Sequence, residues 1–142
     1  MRLLIALAAL LPAPALAGAC PAEHVREDAA LEGPTQAVGV TVENGAAIGL
    51  AEATGLDGAL QHRVVTIAPG GTLPLHAHDT VPGYAYVLMG SAIERRSDCA
   101  VPIRHYPGAL ATEPHTLTHW WRNDGAAPFV LLVSHVVPTE AE

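Results

Sequence analysis

The sequence predicts an all-β domain, a sandwich or closed barrel of short antiparallel strands. Two observations carry this: no helical stripe runs longer than about two turns, and β-branched or alternating runs recur along the chain. A third is that Gly or Pro bounds many of those runs, as at Pro69-Gly70-Gly71, Pro82-Gly83, Gly90, Pro107-Gly108, Pro114 and Asp124-Gly125. Strands are expected over residues 36–42, 63–68, 73–78, 84–89, 101–105, 116–121 and 129–137. Residues 19–34 are acidic and poor in β formers, so they are expected to wrap the outside. The Ala- and Gly-rich stretch 44–58 is expected to hold a loop or a single helical turn.

The first residues set the context. Met1 and Arg2 precede an apolar run from Leu3 to Leu11, then Pro12, Pro14 and the small-residue triplet Ala15-Leu16-Ala17. This is the order of a secretory signal, residues 1–17, with cleavage expected after Ala17 and a periplasmic or secreted destination. The run is too short for a membrane anchor, so no membrane partner is expected after cleavage. Residues 18–142, about 125 in all, suit a single domain with one core. Cys20 and Cys99 are the only cysteines, and in an oxidising compartment two thiols of one small domain are expected to pair; the alternative is lipidation at Cys20, although Ala17 stands where a bacterial lipobox wants a Leu-like residue.

Composition excludes one class of partner. All seven basic residues are arginines, one of them in the leader, against fourteen acids. A nucleic-acid binder needs a basic face, and none is visible. Arg95 and Arg96, beside Asp98, are expected to form a solvated hairpin tip.

Two stretches carry the chemistry. The first is Pro69-Gly70-Gly71-Thr72-Leu73-Pro74-Leu75-His76-Ala77-His78 with Tyr86-Val87-Leu88-Met89-Gly90 after it; the second runs from Gly108 through Pro114 to His119 and Asn123. Together they resemble the two motifs of the cupin superfamily, in order, over residues 71–123. The resemblance implies a small single-domain jelly-roll β-barrel, often dimeric, with a metal inside one mouth.

Strand chemistry agrees with that resemblance. Side chains two apart on a strand share a face, so His76 and His78 can bind one ion while Ala77 points away. Barrel closure can bring His119 opposite them. Three imidazoles suit Fe, Mn, Ni, Cu, Co or Zn and leave coordination positions open.

Two positions depart from the motif pattern. Where the first motif has its glutamate, this chain has Pro82 or Gly83, so the site is expected to be three-His and neutral, resembling the group that includes thiol and diketone dioxygenases. Thr116 stands where the second motif has glycine. Glu113 and His115 flank Pro114 and are candidates for a fourth ligand or proton acceptor, although a solvated turn is the commoner fate of such residues. Asp79 is expected to face away from the ion. Tyr84, Tyr86 and Trp121 are candidate pocket residues, with core packing as the alternative, while Trp120 faces outward or a partner. His24, His62, His105 and His135 are expected to be structural or exposed.

The functional expectation is an exported metalloenzyme acting on a small molecule without an organic cofactor, by dioxygenase-like, lyase or isomerase chemistry. The alternative is a non-catalytic cupin that binds a small molecule or the metal itself, since fold alone does not choose between them.

Overall fold

A computed structural model describes residues 18–27 and 29–138, so the expected leader at 1–17 lies outside the described residues. Among the described residues there are eight strands: β1 (Val38–Gly49), β2 (Ala59–Ala77), β3 (Gly83–Met89), β4 (Ala92–Arg96), β5 (Ile103–His105), β6 (Leu110–Glu113), β7 (Thr118–Arg122) and β8 (Phe129–Val137). A one-turn helix, α1 (Ala51–Thr54), and a 3-10 turn over Ala22–His24 complete the described elements.

All pairings are antiparallel, in the order β5-β4-β7-β2-β8-β3-β6 with β1 also beside β2. The long strand β2 explains the curl. Its first part pairs with β1 and β8, with Ile67 opposite Phe129; its last part pairs with β7, with Leu73 opposite Trp121 and His76 opposite His119. Between them the chain bends at Pro69-Gly70-Gly71, where Gly70 has φ 76°, a left-handed conformation that glycine adopts without steric cost. The sheet therefore folds over on itself, and the inward residues of both halves share one interior.

The interior has two ends. At one, Ile67, Val87, Trp121, Phe129 and Leu131 form a closed apolar core in which Trp121 stacks near Phe129 at 5.5 Å between ring centroids. Truncating either aromatic to Ala should cost about 3–5 kcal/mol. The other end is polar and holds the histidines.

Several expected boundaries moved. The runs at 63–68 and 73–78 are one strand, because the Pro-Gly-Gly segment bends the strand without ending it. The strand expected at 36–42 continues to Gly49, and only the remainder of 44–58 forms the expected helical turn. Strand β4 went unrecognised because its inward residues include Glu94 and Arg96, which break an apolar alternation, and β6 because it is only four residues long. Arg96 is thus no solvated tip: it is buried and bound to Glu94, Asp98 and the Thr112 carbonyl.

The segment before β1 does lie along the outside. Arg26 N–H donates to the Asp98 carbonyl, Leu75 N–H to that of Pro34, and Trp120 Nε1–H to that of Glu32. The expected disulfide between Cys20 and Cys99 ties this segment to the barrel across 79 residues of sequence. Closing a loop of that size should stabilise the domain by about 2–5 kcal/mol.

Candidate metal centre

Three imidazoles meet at the polar end. His119 Nε2 lies 3.0 Å from His76 Nε2 and 2.9 Å from His78 Nε2. The opposite ring nitrogens decide what these contacts are. His76 Nδ1–H donates to the Pro74 carbonyl at 2.8 Å and His78 Nδ1–H to the Val81 carbonyl at 3.0 Å. A carbonyl can only accept, so each neutral ring carries its proton on Nδ1 and presents a bare lone pair at Nε2. On the far side of His119, Nδ1 lies 2.6 Å from Glu94 Oε1. A carboxylate there accepts from Nδ1–H, so the neutral ring also presents its lone pair at Nε2, and three such lone pairs can converge on one ion.

That arrangement fits a cation. Two nitrogens each about 2.1 Å from one ion and at right angles lie about 3 Å apart, which is the spacing found here. Protonation does not relieve the crowding either. Burial and the neighbouring His119 imidazole push His76 down to about 4, despite the Pro74 carbonyl, and burial also lowers His78. Both rings are neutral at physiological pH, the form that binds metal.

Glu94 anchors the centre from behind. It is fully enclosed on β4, with Oε2 accepting from His105 Nε2 at 2.8 Å and Oε1 facing both His119 and Arg96. Burial alone would raise its pKa, but the hydrogen bonds from His105 and His119, with the Arg96 charge, hold it at about 2. Outer partners of this kind fix the orientation of a ligating imidazole. Glu94 was not among the expected site residues, whereas His105 is structural, one of the two fates expected for it. The available signal was the period-2 series Ala92, Glu94, Arg96, which places a carboxylate on an inward face.

A second carboxylate approaches from the front. Glu113, at the end of β6, is buried, and its Oε1 lies 3.8 Å from His119 Nε2. Its Oε2 accepts from His135 Nε2–H at 2.6 Å, while His135 Nδ1 accepts from Arg63 at 2.9 Å. The guanidinium can only donate, so the His135 tautomer is also fixed. Burial would raise the Glu113 pKa, but the His135 hydrogen bond and the nearby His119 and His78 rings keep it below the usual carboxylate range. One oxygen is held by His135 and the other is turned toward the three imidazoles.

The expected three-His set is present, with Glu113, a candidate fourth ligand, beside it. No side chain fits at residue 83: a Cβ there would collide with the Ser134 carbonyl oxygen and His135 Cδ2. Gly83 pairs with both Glu113 and His135 in the sheet, so its bareness is what lets those two side chains meet across it. A carboxylate is present after all, delivered from β6. His135, expected to be structural or exposed, is buried and lines the same cavity.

The remaining candidates fall elsewhere. His115 and Asp79 are exposed. Tyr84 and Tyr86 point outward, 51% and 41% exposed, because the inward positions of β3 are Ala85 and Val87; Tyr84 borders an outer groove with Pro82 and Thr112. Trp121 points inward but sits in the core, 4.6 Å from His105 between ring centroids. Asn123, the last residue of the second motif, is structural: it donates to the Ile67 and Ala127 carbonyls and accepts from Gly125 N–H.

No family model matches the sequence, and no curated protein is similar to it in sequence. Solved structures are similar. KdgF from a Halomonas species superposes with a TM-score of 0.57 at 16% identity, covering 72% of this chain and 82% of that one. The cupin domain of Schizosaccharomyces pombe Cnp3 gives 0.53 at 16% identity, covering 68% and 61%. The fold is the cupin double-stranded β-helix. A recombinant oxalate oxidase in complex with glycolate also shares this cupin fold, at a TM-score of 0.56 and 22% identity over 72% of this chain and 53% of that one. In this chain, His and Glu groups form two overlapping sets that could hold a metal, the half-buried His76 with His78 and His119, and the buried His78, Glu113 and His135.

Proposed function

We propose that this chain is an exported cupin metalloprotein that acts on a small molecule. In this reading His76, His78 and His119 hold one divalent transition ion, and Glu113 Oε1 is the fourth donor. The observation that carries it is the convergence of three Nε2 lone pairs whose Nδ1 atoms are all committed to acceptors. Imidazoles with one carboxylate suit Fe, Mn, Ni, Co, Cu or Zn.

When bound, such an ion supplies Lewis acidity and, if redox-active, electron transfer. The protein supplies the rest. Glu94 and the Pro74 and Val81 carbonyls orient the three rings. His135 holds a proton on Nε2 against Glu113, so a proton donor and acceptor pair stands at the cavity wall. Val65, Leu73, Val81 and Val133 line that cavity and exclude water around a bound molecule. This pair favours an enzyme over a purely binding module.

Export is part of the proposal. The leader pattern at 1–17 and the Cys20–Cys99 disulfide both fit an oxidising compartment, and among the described residues no helix is long and apolar enough to cross a membrane. Metal analysis of protein recovered from that compartment is the test. About one ion per chain is expected, lost in His119→Ala. Full occupancy in His119→Ala would overturn the site.

A further inference from the structure

The cavity in front of the centre has a volume of about 260 Å³ and is bordered by His76, His78, Glu113 and His135, with apolar walls from Val42, Val65, Leu73, Pro74, Val81 and Val133. One cation lines it. Arg63 stands on β2 in the inward series Arg63, Val65, Ile67, where the two later positions are core residues. Its side chain is only partly exposed.

The state of this guanidinium differs from that of the other arginine buried beside the site. Arg96 is matched by Glu94 at 3.3 Å and by Asp98 at 2.8 Å. Arg63 makes no ion pair among the described residues; its one side-chain partner is the neutral acceptor His135 Nδ1. Its Nε is buried and without a hydrogen-bond partner in the described structure. An unpaired, partly desolvated charge is costly unless an anion meets it.

We propose that Arg63 anchors the ligand of this cavity, and that the ligand is a small molecule carrying one carboxylate on a short apolar body. A planar guanidinium with free N–H groups matches a carboxylate edge. Glu113 cannot neutralise it, since its oxygens are turned to His135 and His119. One cation facing one resident carboxylate favours a monoanion over a phosphate dianion. The volume lies at the small end of ligand sites, which restricts the body to a few carbons. With its carboxylate on Arg63, the other end of such a molecule reaches the wall formed by His76 and His78. This assignment rests on the metal reading for its orientation and not for its anion site.

Calorimetric titration of the exported, metal-replete protein with butyrate, butyramide and inorganic phosphate tests it, alongside metal content for every variant. Arg63→Gln keeps a donor for His135 and removes the charge, and Arg63→Lys keeps the charge. Butyrate is expected to bind at least about tenfold more tightly than butyramide or phosphate. That preference should vanish in Arg63→Gln and return in part in Arg63→Lys, with metal content the same in all three proteins. Absence of butyrate binding, equal binding of butyrate and butyramide, a preference for phosphate, or an unchanged butyrate affinity in Arg63→Gln would each overturn the assignment. Arg63-dependent butyrate binding in protein that holds no metal would uphold it while removing the metal reading.

Discussion

His119 stands between two buried glutamates whose surroundings differ. Behind it, Glu94 meets His105, His119 and Arg96, so both oxygens are occupied and the charge is matched. In front, Glu113 has one oxygen held by His135 and the other 3.8 Å from His119 Nε2, beyond hydrogen-bond range. A carboxylate with both oxygens committed positions its neighbours. One with an oxygen left toward three bare imidazole nitrogens can bind. In the proposed reading the difference makes Glu94 the scaffold of the centre and Glu113 a participant in its chemistry, and substitutions separate the two.

Removing the rear carboxylate should do the most damage. Glu94→Ala leaves two buried imidazoles without their acceptor and Arg96 with Asp98 as its remaining charge partner, and breaking a buried cluster in this way costs about 3–5 kcal/mol. Denaturant unfolding should report that loss, with metal binding lost as well because nothing then fixes the His119 tautomer. A variant as stable as the wild type would mean that Glu94 is not the anchor.

Acid should act on the two sides in different windows. His76 titrates at about 4 in the folded protein against 6.5 unfolded, so between those values the unfolded chain takes up a proton that the folded one refuses. Stability of the metal-free protein should therefore fall as pH drops from about 6.5 to 4, by roughly 3 kcal/mol, with His78 adding in the same direction. Glu94 behaves oppositely in origin and later in pH: its folded value of about 2 lies below 4.5, so its contribution is intact above 4.5 and lost on the way down to 2. Denaturant midpoints measured from pH 7.5 to 5 read the histidines alone. A flat profile there would sink the neutral-imidazole account.

Much of this arrangement was legible in the sequence. His76, His78 and His119 fall together because strand alternation and motif spacing both place them on the inner face, and the disulfide followed from compartment and count. The other half was hidden for physical reasons. Glu94, Arg96, His105 and His135 are polar residues on inward faces, where an apolar reading of strands expects none, and their mutual pairing depends on contacts between strands distant in sequence. The Glu113–His135 pair was hidden for the same reason: the motif lacks its glutamate at Pro82 and Gly83, and only the sheet register puts Glu113 and His135 on either side of Gly83.

That register makes Gly83 a sharp test of the front side. Gly83→Ala would drive a Cβ into the Ser134 carbonyl and His135, and overpacking of this kind costs about 1–3 kcal/mol. The loss should come with a weakened Glu113–His135 contact, seen as a shifted His135 imidazole resonance by NMR. Tolerance of alanine with that resonance unmoved would show that the sheet does not need the gap.

The smallest effect on stability, and the most specific, is expected from Glu113→Gln. The amide keeps an oxygen to accept from His135 Nε2–H, so shape and hydrogen bonding survive and unfolding should change by less than about 1 kcal/mol. What disappears is the negative charge facing the imidazoles. If Glu113 Oε1 is a donor to the ion, metal affinity should fall by at least about tenfold. If the three imidazoles suffice, affinity should hold. Competition with a chromophoric chelator measures this directly, and it distinguishes the front carboxylate from the rear one: Glu94→Gln, which leaves an amide to serve two imidazoles and Arg96, should lose stability and metal together. Unchanged metal affinity in Glu113→Gln would return the centre to three neutral ligands and leave Glu113 as the partner of His135 alone.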